Sequence, residues 1–205
     1  MNKLITFPEE ALPAKLTFNS ELGLDDDKYY EFCVANPDLR FERTAQGEII
    51  IVPPAGWESS FQSGEAFGQL RAWADRDGRG KAFDSSAEYI LPTRAALSPD
   101  ASWVSNGRIK QVAERARRKF PHACPEFVIE VMSPSDRLPA AKDKMQEWIR
   151  GGVELAWLIH GRQKTVYLYR AGQKQPEART GIVKLAGEGP VAGFQLDLTK
   201  IWQGL

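Results

Sequence analysis

Pro125-Glu126-Phe127-Val128-Ile129-Glu130-Val131-Met132-Ser133-Pro134-Ser135-Asp136 is the stretch on which the rest of the chain turns. Phe127 to Met132 are apolar and partly β-branched except for one carboxylate, and prolines bound the run on both sides. That pattern predicts a buried strand. A glutamate inside such a strand costs several kcal/mol unless it is paired or binds a cation, so Glu130 has either a partner or a function. Thirty residues earlier, Ser98-Pro99-Asp100-Ala101-Ser102-Trp103-Val104 opens a second strand-like run, with Asp100 at its mouth. If the two strands are neighbours, the two carboxylates can meet. Oxygen ligands of this kind suit a hard divalent cation such as magnesium. A strand-end aspartate beside a salt-bridged glutamate gives the same spacing without a metal, and the pattern alone leaves both readings open.

Outward from these strands the chain reads as alternating helices and strands. Asp25-Asp26-Asp27 before Tyr29, Tyr30, Phe32, Cys33 and Val34 predicts a capped helix start, ended by Asn36-Pro37. Leu39 to Val52 predicts a hairpin turning at Gln46-Gly47. A helix follows over about Glu58 to Asp75, with Phe61, Phe67, Leu70 and Trp73 near its apolar face, Glu65 at the border of that face, and Gly78 and Gly80 at its end. Ala82 to Leu91 reads as one strand, and Gly107 to Lys119 as a basic helix. Pro139 to Arg150 reads as a helix closed by Gly151-Gly152. Leu155 to Ile159 and Thr165 to Tyr169 form a further hairpin, and Ile182 to Leu185 and Gly193 to Leu198 are strand-like. The order implies an α/β fold, a mixed β-sheet flanked by helices with an N-terminal helix and β-hairpin. Residues 1–20 read as an irregular arm and 1–205 as a single domain, with no repeat and no internal linker.

The 27 basic and 27 acidic residues cancel, so affinity for nucleic acid has to come from a local patch rather than the global field. The obvious patch is Arg108, Lys110, Arg115, Arg117, Arg118 and Lys119, either a solvated helix face or a phosphate-contacting surface. Cys33 and Cys124 match no ligand or redox spacing and read as buried thiols. No signal-peptide pattern and no apolar run of about 18 residues is present, so a soluble cytoplasmic protein without a membrane span is expected. Two histidines, His122 and His160, are too few to suggest a histidine–metal site, and neither a nucleophile elbow nor a phosphate-cradling glycine loop occurs. On the helix 139–150, Lys142 and Lys144 flank the buried face set by Met145, Trp148 and Ile149, and either ammonium can reach back toward the preceding strand end to stabilise phosphoryl charge. Trp57, in a loop, is a candidate platform for base stacking.

Taken in order, Ser-Pro-Asp100-Ala-Ser-Trp-Val, Pro-Glu-Phe-Val-Ile-Glu130-Val-Met-Ser-Pro-Ser-Asp, Lys144-Met145-Gln-Glu-Trp-Ile-Arg-Gly-Gly-Val and Leu-Ala-Trp-Leu-Ile resemble the Uma-type family of putative restriction endonucleases, within the PD-(D/E)XK nuclease superfamily. The resemblance runs from about Tyr29 to the C-terminus. It implies a restriction-endonuclease-like core and Mg2+- or Mn2+-dependent hydrolysis of DNA phosphodiesters. It implies that Asp100 and Glu130 are metal ligands, that Glu65 is the first-helix glutamate completing the site, and that Lys144 supports the developing charge. The superfamily lysine normally stands two residues after the second acid, where this chain has Met132, so Lys144 on the following helix is the matching position. Gln146 is a weaker candidate for a supporting contact. By the same analogy the assembly is a homodimer, with two sites for two strands. A nuclease fold that has lost its metal and binds nucleic acid or protein without cutting is the alternative, and a hydrolase of small phosphate compounds is a further one.

Overall fold

The computed structural model describes residues 24–205 together with the backbone of a short strand at Lys15–Leu16. Most of the predicted irregular arm lies outside the described residues, and the part that is described is strand β1, Lys15–Leu16. The chain continues through α1 (Asp26–Val34), β2 (Arg40–Arg43), β3 (Ile49–Val52), α2 (Trp57–Asp77), β4 (Gly80–Asp84), β5 (Tyr89–Ile90), β6 (Ala96–Leu97) and β7 (Ala101–Ser105). After α3 (Asn106–Gln111) come β8 (Phe127–Val131), α4 (Leu138–Arg150), β9 (Leu155–His160), β10 (Thr165–Arg170), β11 (Glu177–Thr180), β12 (Lys184–Ala186), β13 (Gln195–Asp197) and α5 (Thr199–Gln203).

Among the described residues, six strands form the main sheet in the order β11-β10-β9-β8-β7-β4. β8 and β9 are parallel and every other pairing in this sheet is antiparallel. The parallel step requires a crossover, and α4 supplies it. Pro139 starts that helix, and Gly152, at φ +105°, turns the chain into β9 with a backbone most residues avoid. The main sheet is covered on both faces, which is why β8 is apolar on both. Phe127, Ile129 and Val131 pack with Leu70 and Trp73 of α2 and with Phe194, Leu196 and Ile201 of the C-terminal elements. Val128 faces the other way, toward Met145 and Trp148 of α4 and toward Tyr89 and Leu97 of the second sheet. That second sheet, β1-β3-β2-β6-β5, is backed by α1 through Tyr29, Phe41, Ile49 and Ile51.

Two sequence expectations are corrected and one strand is new. Ala82 to Leu91 is two strands in different sheets, because Asp84 accepts hydrogen bonds from Ser86 N–H and Oγ and forms a turn between them. The basic helix predicted over 107–119 stops at Gln111 and resumes as a 3-10 turn over Glu114–Arg118. The Arg117 guanidinium donates to the carbonyls of Ile109 and Val112, both at 3.0 Å, taking up groups that a longer helix would have bonded internally. β11 was not anticipated, since Glu177-Ala178-Arg179-Thr180 is an edge strand without an apolar face.

Glu88 lies buried in the seam between α1 and the second sheet, accepting a hydrogen bond from the Tyr29 hydroxyl at 2.6 Å. Burial pushes its pKa up to about 7, with the Glu42 charge adding to the rise and the Tyr29 bond and Arg43 opposing it. A carboxyl raised in the folded state binds protons the unfolded chain has released, so stability falls as pH climbs from the ordinary carboxylate range through 7. Glu88→Gln, which keeps an acceptor for Tyr29, is expected to match the parent near pH 4 and exceed it by about 2 kcal/mol at pH 8. Urea unfolding at the two pH values checks this, and equal stabilities at pH 8 would refute it.

Candidate active site

The pairing of β7 with β8 brings the two sequence-predicted carboxylates together. Ala101 lies opposite Ile129, and one further step along the antiparallel pair sets Asp100 across from Glu130. Asp100 accepts a hydrogen bond from the Val131 N–H at 2.7 Å. Burial raises the Asp100 pKa, against the lowering effect of that N–H and of Lys144. Glu130 points to the α4 face of the sheet. There its Oε1 accepts the Trp148 indole N–H at 2.8 Å and faces the Lys144 ammonium at 2.9 Å. Burial raises the Glu130 pKa as well, with Lys144 opposing the rise and Asp100 and Glu42 adding to it. The glutamate inside the strand therefore has partners, and the spacing that was open in the sequence becomes a cluster.

Lys144 reaches the cluster from the middle of α4. Its Nζ lies 2.8 Å from Glu42 Oε1 and 2.9 Å from Glu130 Oε1, and donates to the Ser98 carbonyl at 3.2 Å. Burial by itself would lower the pKa of this ammonium, but Glu130 and Glu42 together outweigh it and hold it raised. Lys144 is thus a fixed positive charge, not a proton acceptor. Met132, at the usual position of the superfamily lysine, is buried in the core on the same sheet face, among residues that include Met145 and Leu158. A side chain placed there serves packing, and the charge arrives from the helix instead.

Glu42 is the residue that sequence reading missed. It sits on β2, is 8% exposed, and its Oε1 also accepts the Ser98 N–H at 3.2 Å. Beside Phe41 in a hairpin it reads as an outward polar residue, and only the pairing of Arg43 with Ala96 carries it to Ser98 and Lys144. Lys142, the other lysine flanking the helix face, instead stacks its ammonium 4.5 Å from the Tyr167 ring centroid.

Other predicted residues stand elsewhere. Glu65 is on α2, which covers the face of β8 opposite to Glu130, and it pairs with Lys200 of α5 at 3.2 Å. It is not brought to Asp100 and Glu130. The basic segment follows the far end of β7, away from Asp100. Within it Arg108 is drawn inward to Glu126 at 3.1 Å and Glu154 at 3.5 Å, and Lys119 pairs with Asp27 at 2.9 Å. Lys110, Arg115 and Arg118 are exposed there. His122 pairs with Asp26 at 3.2 Å, and His160 accepts the Gln163 N–H at 3.4 Å as a turn residue. Ser133 N–H donates to Asp136 at 2.7 Å, a turn contact. Trp57 is 87% exposed and opens α2, not a loop.

Among the described residues, no three Asp, Glu, His or Cys side chains stand ready to grip a metal ion, because Lys144 lies between Glu42 and Glu130. The chemistry nonetheless fits a hard cation. The available donors are carboxylate oxygens, and two carboxylates, Glu42 and Glu130, share one ammonium. Magnesium commonly binds through one or two carboxylates with waters and substrate phosphate completing its shell. Asp100 and Glu130 meet that requirement without a third acid. No helix among the described residues is long and apolar enough to cross a membrane.

Comparison with known proteins agrees with this fold. The chain has the same fold as a crystal structure titled as a putative nuclease belonging to DUF820 from Anabaena variabilis ATCC 29413, with a TM-score of 0.66 and 20% identity over 80% of this chain and 89% of that one. No curated protein matches the chain. The model of the Uma2 family, described as "Putative restriction endonuclease", matches residues 26–199. That match spans β2, β7, β8 and α4, the elements that carry the cluster, and the chain belongs to the Uma2 family.

Proposed function

We propose that the protein is a divalent-metal-dependent DNA endonuclease whose site is built from Asp100, Glu130, Lys144 and Glu42. The observation that carries this reading is the convergence of two strand-end carboxylates and one fixed ammonium, in a chain of the Uma2 family. Asp100 and Glu130 are the residues that would hold Mg2+ or Mn2+. When bound, such an ion supplies positive charge for the phosphoryl oxygens and lowers the pKa of a water near the phosphorus. The chain's own groups do the rest. The Trp148 indole fixes the rotation of the Glu130 carboxylate. Lys144, held charged by Glu42 and the Ser98 carbonyl, neutralises negative charge that develops on the phosphate during attack. Glu65, to which the resemblance gave the completing position, pairs with Lys200, and Glu42 of the second sheet supports the site by holding the lysine.

The test is incubation of supercoiled plasmid and of single-stranded DNA with Mg2+, Mn2+ or chelator, the Asp100→Ala variant run alongside. Cleavage by the parent with metal, and none by the variant, is the expected result. Retention of DNA without any cleavage would favour the non-catalytic module instead. A pair of subunits, each cutting one strand, belongs to the same proposal and is read from the mass in solution by light scattering. DNA is proposed to enter at the Asp100 end of the sheet. Replacing Lys110, Arg115 and Arg118 together by glutamine is then expected to change cleavage by less than about threefold, because distant exposed charges are largely screened at physiological salt. A drop of a hundredfold would show that the basic segment grips the substrate.

A further inference from the structure

We infer that Glu42 is the anchor that retains Lys144 when a divalent cation takes Glu130, so that the lysine and the metal compete for one carboxylate and Glu42 decides how costly the exchange is. This rests on the reading that Asp100 and Glu130 bind the cation. An ammonium has three donors, and Lys144 meets three oxygens from three parts of the chain: Glu42 of β2, Glu130 of β8, and the Ser98 carbonyl before β7. The Glu130 oxygen is already shared with the Trp148 indole. A second cation on the same carboxylate would stand within a few ångströms of the ammonium, and like charges at that range repel strongly in a partly buried site. Lys144 must therefore loosen its hold on Glu130 as metal enters. Glu42 has no such rival, since its Oε1 is set by the Ser98 N–H, and Ser98 also offers its carbonyl to the lysine. Two of the three contacts survive the exchange, and the charge stays beside the site.

This arrangement makes an unusual prediction: removing the lysine should tighten metal binding. Calorimetry or Mn2+ electron paramagnetic resonance on the metal-free full chain measures it. Lys144→Met is expected to bind Mn2+ about tenfold more tightly than the parent, and Glu42→Gln at least about threefold more weakly, within the usual range of coupling between sites. The double variant is expected to lie close to Lys144→Met, since the contact of Glu42 with the site runs through the lysine. Lys144→Met binding no more tightly overturns the inference. So does Glu42→Gln binding as the parent does, and so does a Glu42→Gln loss that persists in the Lys144→Met background, which would make Glu42 a direct ligand. Thermal unfolding without metal checks the folding of each variant, and should Lys144→Met fail to fold, Lys144→Gln carries the same expectation. Failure of the nuclease reading looks different. In that case neither parent nor variants bind Mn2+ and no DNA is cut, which overturns both, whereas failure of this inference alone leaves the parent binding metal and cutting DNA.

Discussion

Glu130→Gln is expected to lower metal-dependent DNA cleavage by about two to three orders of magnitude while leaving the metal-free fold as stable as the parent or more so. The loss follows from withdrawing one of the two proposed charged ligands from the site, an effect of the size seen when a single preorganised electrostatic contact to a transition state is removed. The fold stands because the neighbours of Glu130 keep their partners. The amide oxygen still accepts the Trp148 indole N–H, and Lys144 still has Glu42 and the Ser98 carbonyl. The substitution also removes a charge that burial first, and then Asp100 and Glu42, disfavour. Cleavage assays beside urea unfolding separate the two effects. A marked loss of stability with cleavage intact would make Glu130 a structural ion-pair partner and remove it from the site.

Lys144→Ala is expected to do the reverse to stability and the same to cleavage. It leaves Glu42 and Glu130 mostly buried without their counter-ion. Breaking a fully buried pair in this way costs about 3–5 kcal/mol. Because the Lys144 side chain is 27% exposed, a loss of about 2–3 kcal/mol at pH 8 is expected instead. The deficit depends on pH. Without the ammonium, the Glu130 carboxyl is raised further, so the folded variant binds protons that the unfolded chain releases above the ordinary carboxylate range. Its stability therefore falls more steeply than the parent's between pH 5 and 8. Thermal unfolding of both proteins at those two values measures the difference, and a deficit that is constant across the range would show that lost packing, not lost charge, is responsible. Cleavage by the variant is expected to drop by about a hundredfold or more.

Several features were legible in the sequence. The apolar run Phe127–Val131, the proline boundaries, the Pro-and-Gly frame of α4 and the alternation of helices with strands specify a mixed sheet covered on both faces. They do so because hydrophobic period and turn chemistry are local properties of the chain. Asp100 and Glu130 stood out for the same reason: a carboxylate inside or at the mouth of an apolar strand contradicts its neighbours. Lys144 was accessible through its place beside the buried face of α4, two turns from the helix start.

Glu42 and Glu65 were not decided by local pattern. Both are ordinary-looking acids, one in a hairpin and one beside a helix face. Only tertiary structure distinguished them. The antiparallel pairing of β2 with β6 carries Glu42 to Ser98 and Lys144, while the packing of α2 on the opposite face of β8 leaves Glu65 with Lys200. Within the basic run at 108–119, likewise, only the tertiary structure singled out Arg108, which the buried Glu126 draws inward. By itself the sequence determined which strands are buried and which carboxylates within them need explaining. Which charges actually meet depended on sheet order and on which face each helix covers. Those are set by long-range pairing and by the need to neutralise charge in a place of low dielectric, and neither is written in the spacing of residues along the chain.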